Sequence, residues 1–196
     1  MTKDIQLSDS DGVFLIKTAR MAVTEFLSDG KRTKLESEHE KKFSFNSGVF
    51  VTLNNADGLR GCIGFPMPDK KLSNGIIDAA IAAATEDPRF SPVKINELND
   101  IVFEVTVLTP PVEITVTDPM EYFEKIKVGR DGLIIRNSFS SGLLLPQVPV
   151  EYGWNVEEFL QHTCEKAGLG RDVWKNEKVK IEKFEGIVYK EETNGS

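Results

Sequence analysis

VFVTLNNADGLRGCIGF, residues 49–65, decides the fold. Two β-prone runs, 49–54 and 59–65, flank Asn55-Ala56-Asp57-Gly58, and an Asp-Gly pair between such runs is a hairpin signal. Gly61 and Gly64 interrupt the second run, and glycines inside a strand mark a bulge or a close approach by backbone or ligand. Arg60 and Cys62 stand two apart, so a regular strand puts both on one face, about 7 Å apart at Cα. A guanidinium that near a thiol favours the thiolate and makes Cys62 more nucleophilic. It equally suits a carboxylate or phosphate of a ligand. The architectural alternative is that an even-length hairpin loop sets Cys62 on the face of Val49, Val51 and Leu53. Those look like core residues, and free cysteine is among the most buried residue types.

The chain on either side fits a sheet with flanking helices. Val13, Ile16, Ala19, Val23 and Phe26 recur at helical steps over 10–27, with Gly30 as the stop. Residues 31–46 are charged and lack periodicity, so they read as a mobile surface connection. A helix is expected over 73–86, its Ile77, Ala80, Ile81 and Ala84 suited to close packing, ended by Asp87-Pro88. Ile101, Phe103, Val105 and Val107 alternate with Glu104 and Thr106, the pattern of a half-buried strand.

Further on, a shorter strand is expected near 112–116 and a short helix after Asp118-Pro119. A turn at 129–132 precedes strands over 133–136 and 142–145. Asn155 reads as a helix cap with Glu158 as its reciprocal partner, over an inner face of Val156, Phe159, Leu160, Thr163 and Ala167. Gly168 ends that helix, and a last strand covers 179–189. The class is α+β with a mainly antiparallel sheet, one domain over 1–190 and a polar tail at 191–196.

Composition excludes several functions. The 196 residues are 40% hydrophobic and 28% charged, the balance of a globular chain. The net charge of −7, with no run of Lys and Arg clear of acids, argues against nucleic acid as the main partner. The most apolar stretch, 76–84, is broken by Asp78 and is too short for a bilayer, so no membrane role is expected. A polar, acidic N-terminus predicts no export signal and a cytoplasmic location, where Cys62 and Cys164 stay free. There is no Gly-rich phosphate loop with Lys, no dinucleotide fingerprint and no HExxH, and His39 and His162 alone cannot build a histidine metal cluster. No metal and no cofactor are expected.

A second cluster is LLPQVPVEYGW, residues 144–154. Gln147 and Glu151 are polar residues in an apolar setting; they suit ligand orientation, with Glu151 as a base. Alternatively they satisfy loop backbone groups. Arg89, just after the helix-ending Pro88, either reaches the site or anchors its loop. His162 and Cys164 lie two apart on a helix and do not face each other.

Leu59-Arg60-Gly61-Cys62-Ile63-Gly64 resembles the hallmark hexapeptide of the AMMECR family. Asp87-Pro88-Arg89-Phe90, the 144–154 segment and Lys166-Ala167-Gly168-Leu169 resemble further motifs of that family in the expected order. The resemblance implies an α+β fold with a larger subdomain on an antiparallel sheet and a smaller one beside it. It assigns no reaction. It implies association with Memo-type proteins and radical-SAM enzymes, and so a shared modification pathway. The reading is an accessory factor that binds a small ligand or a partner through the Arg60/Cys62 face, with Gly61, Gly64, Arg89 and Gln147 as further binding residues. The alternatives are a thiol-dependent enzyme using Cys62 and Glu151, and an accessory factor in RNA modification.

Overall fold

In the computed structural model, which describes residues 7–175 and 179–192, the opening stretch is a hairpin of β1 (Val49–Asn55) and β2 (Gly58–Phe65). The two-residue turn places Gly58 at φ 114°, a conformation L side chains rarely adopt. Its register changes partway: Asn54 pairs with Leu59, but Leu53 pairs with Gly61, so Arg60 is the extra residue of a bulge. A shift of one residue moves every later side chain to the opposite face. Cys62 therefore lies opposite Thr52, and the expectation that it shares the face of Val49, Val51 and Leu53 is corrected. The loop is even, and the bulge beyond it reverses the face.

The chain divides into two compact units, one running through Leu108 and resumed from Ile187, the other Thr109–Gly186. In the first, β1 lies between β2 and β3 (Val102–Leu108), both antiparallel to it, and the end of β7 (Lys180–Lys190) follows β3. Val49, Val51, Leu53, Phe103, Val105 and Val107 are fully buried beneath α1 (Asp9–Asp29) and α3 (Leu72–Thr85). α1 starts in a reciprocal cap between Ser8 and Asp11 and ends at Gly30, in the left-handed conformation. The opposite sheet face carries Phe50, Thr52, Cys62, Glu104 and Thr106, all half-buried.

Residues 31–46 are more ordered than their charge pattern implies. They hold the short helix α2 (Ser37–Lys42), and Phe43 behind it is 1% exposed, inside the main core. Phe43 anchors the connection, with Leu35 and Phe45 packed against the same core, a signal too sparse for periodicity to register.

The second unit pairs β5 (Asp131–Arg136) with β6 (Ser141–Leu144) on one side and β7 on the other, and β7 also takes β4 (Val112–Glu113). β4 is shorter than the expected 112–116 strand, although the Ile114 N–H still donates to the Ile181 carbonyl at 2.9 Å. Before β5 comes α4 (Tyr122–Lys125), entered through an Asp118 cap with Pro119 behind it. α6 (Val156–Lys166) has the expected Asn155–Glu158 capping box and buries Phe159, Leu160 and Thr163. Cys164 is fully buried with them.

Candidate functional site

The hexapeptide is held from three directions, each by a residue that its own spacing does not reveal. Arg60, pushed out by the bulge, donates from Nε and Nη2 to the two oxygens of Glu97, at 2.9 and 3.3 Å. Its Nη1 donates to the Ser91 carbonyl at 2.9 Å, and the side chain is only 14% exposed. The Arg60 guanidinium in turn holds the Glu97 carboxyl below the usual carboxylate range. The expectation of Arg60 as a free cation beside the thiol is corrected, because a carboxylate already neutralises it.

Gly61 lies on the core face against α3. A Cβ there would sit 2.2 Å from the Ala83 carbonyl oxygen, which is impossible without moving backbone. Gly64 lies on the sheet face away from the α1/α3 core, opposite Phe50, whose ring occupies the space a Cβ would need, at 2.3 Å. The two strand glycines thus mark close approaches, by a helix and by an aromatic ring.

β2 is an edge strand, so at Cys62 its backbone has no strand partner on the outer side. Asp87 and Arg89 supply one with side chains. Asp87 Oδ2 accepts the Cys62 N–H at 2.8 Å, and Arg89 Nη2 donates to the Cys62 carbonyl at 3.4 Å. The pair is locked to itself: Arg89 Nε and Nη2 reach Oδ1 and Oδ2 of Asp87 at 3.0 and 2.8 Å. The Arg89 hydrogen bonds, aided by the backbone N–H groups of Cys62 and Arg89, hold the buried Asp87 carboxyl far below the usual range. Asp87 raises the Arg89 guanidinium, and the nearby Cys62 sulfur adds to that. Arg89, like Arg60, is paired with a carboxylate, but its side chain is 55% exposed.

The Cys62 side chain is half-buried and accepts a hydrogen bond from the Thr52 hydroxyl at 3.2 Å. Thr52 is flanked in register by Cys62 on β2 and Glu104 on β3, so thiol, hydroxyl and carboxylate form one row across three strands. Cys164 differs: burial pushes its thiol up to about 11.

Gln147 and Glu151 belong to the second unit, on a short helix, α5 (Gln147–Glu151). Both are exposed, which corrects their expected apolar setting, and neither side chain hydrogen-bonds another described residue. The reading of them as partners for loop backbone fails for the same reason. His162, on α6, pairs with Glu165 at 2.8 Å and stacks on Trp154. Among the described residues no three His, Cys, Asp or Glu side chains converge as a metal site requires, and no described helix is long and apolar enough to cross a membrane.

Sequence reasoning missed Asp87, Glu97, Thr52 and Glu104. Asp87 was visible in a motif but read only as a helix stop. Thr52 and Glu104 needed the bulge to be placed. Glu97 lies 37 residues from Arg60, with no local signal.

An α+β chain whose LRGCIG edge strand is clamped by a DPRF loop has the features of an AMMECR-type protein. The family model described as AMMECR1 matches residues 16–189, and the chain belongs to that family. It is 50% identical over 187 residues to protein MJ0810 of Methanocaldococcus jannaschii, covering 94% of this chain and 92% of that one. It is 48% identical over 192 residues to protein PYRAB00100 of Pyrococcus abyssi, covering 95% and 93%. The crystal structure of protein PH0010 from Pyrococcus horikoshii has the same fold, with a TM-score of 0.79 at 48% identity over 96% of this chain and 95% of that one.

Proposed function

We propose that this protein is a binding accessory factor that presents the open face of the β2-β1-β3 sheet, with Cys62 on its edge strand, to a small ligand or a partner protein. One observation carries the reading. The charged groups around the hexapeptide are engaged within the protein, Arg60 by Glu97 and Asp87 by Arg89. They hold the strand rigid and leave the Cys62 side chain half-exposed beside Thr52. A preorganised surface of this kind loses little freedom on binding. Memo-type and radical-SAM proteins are the first candidate partners, by family association, and two free thiols suit a reducing cytoplasm.

The test uses purified Memo-type and radical-SAM proteins from the same genome. Thr106→Lys, on the open face, weakens binding at least tenfold, and Cys62→Ser leaves it within about twofold, since only one weak hydrogen bond is altered. Binding that ignores Thr106→Lys would sink this reading.

A second reading, a thiol-dependent enzyme, is favoured by the Thr52 hydroxyl on the Cys62 sulfur and by Arg89 close by. It requires turnover lost in Cys62→Ser with binding retained. The RNA-modification reading requires RNA binding that weakens as salt rises; the charge of −7 counts against it.

A further inference from the structure

A pocket of about 250 Å³ opens in the first unit, where the extended stretch 32–35, α2 and the start of α3 meet; its lining includes Arg32, Lys34, Leu35, Glu40 and Asn74. That volume lies below the roughly 300–1,000 Å³ of sites for drug-sized ligands, so its occupant is small. The walls are held in place. The buried Thr33 hydroxyl donates to Glu25 on α1 at 2.5 Å. Arg32 crosses to α3, donating from Nε to Asp78 at 3.0 Å and from Nη2 to the Asn74 side-chain oxygen at 3.3 Å.

Two charges of opposite sign are left over. Lys34 and Glu40 both line the pocket and both are exposed, and neither pairs with the other or with any other described residue. Arg32, the third charged residue of the lining, is neutralised by Asp78. The main-chain N–H groups of Thr33, Lys34 and Leu35 also make no hydrogen bond to another described residue. A lone anion here is drawn by Lys34 and repelled by Glu40, and a lone cation meets the opposite pair of forces. A molecule that carries both charges a few atoms apart satisfies the two together.

We propose that this pocket binds a free α-amino acid, whose carboxylate pairs with Lys34, whose ammonium pairs with Glu40 and whose side chain rests on Leu35. The proposal does not depend on the reading of the Cys62 face.

L-Leucine is the probe; isocaproate lacks its ammonium and isoamylamine lacks its carboxylate. Titration of the native protein with leucine shifts the amide resonances of Thr33, Lys34 and Leu35 saturably. Each single-charge analogue binds about fivefold more weakly, the upper end of what one exposed ion pair contributes. Lys34→Gln weakens leucine and isocaproate by about that factor and does not weaken isoamylamine. Glu40→Gln weakens leucine and isoamylamine and does not weaken isocaproate. Both residues are exposed, so both variants keep the wild-type melting temperature. No saturable shift means that the two charges are solvated and nothing more, and isocaproate binding as tightly as leucine means a simple anion site. Either result overturns the proposal, as does leucine binding that ignores both substitutions.

Discussion

Asp87 carries more of the hexapeptide's geometry than any residue inside it, since one carboxylate takes both the Cys62 N–H and the Arg89 fork. Asp87→Ala leaves a strand N–H and a guanidinium without partners, and costs about 2–3 kcal/mol by urea denaturation. Its pH dependence follows from the depressed folded value. The stability that the Asp87 carboxylate contributes is complete above the unfolded value, about pH 4, and is lost as pH falls through the folded one. Wild-type urea midpoints therefore fall more steeply than those of Asp87→Asn below about pH 4; parallel curves contradict the assignment. Gly61→Ala forces a methyl against the Ala83 carbonyl and costs about 1–3 kcal/mol, read as a lowered melting temperature. Both glycines could be marked as close approaches from sequence. Which atoms approach, and that Glu97 takes Arg60, could not, because these partners come from α3 and from a distant turn.

The hairpin shows how far element-level reading reaches. Strand pairing, turn position and the presence of an irregularity all follow from residues 49–65. The face of Cys62 does not, because a bulge of one residue at Arg60 reverses parity. Periodic elements fared better: α1, α3, β3 and α6 lie within a few residues of their expected ranges, since each repeats its apolar signal several times. The 31–46 connection and α5 lack such repetition, so their short helices do not show in the sequence. The α6 cap was legible because both partners lie within one turn. Asn155→Ala lowers stability by about 1 kcal/mol, while Glu158→Gln, which keeps an acceptor, costs less. Equal melting temperatures for all three chains would remove the cap's role.

At the scale of the molecule, Glu191, just beyond β7, is fastened to α1. Glu191 accepts from Arg20 Nε and Nη2 at 2.7 and 2.5 Å, and Arg20 also donates to the Leu98 and Ile101 carbonyls. The Glu191 carboxylate takes the Phe103 N–H as well, beside the core strand β3. Stopping the chain after Lys190 removes these contacts and lowers the urea midpoint by the equivalent of about 2 kcal/mol, whereas Glu191→Gln costs less. No change on truncation would make Glu191 a mere tail residue. The central claim is that the sheet face bearing Cys62 is open for binding, and the two thiols test it within one molecule. Iodoacetamide alkylation of the native protein, followed by mass spectrometry at each cysteine, should label Cys62 promptly and leave the buried Cys164 untouched until denaturant is added. Cys62 labelling only on unfolding, together with Cys164, would mean that the face is covered and the hexapeptide purely architectural.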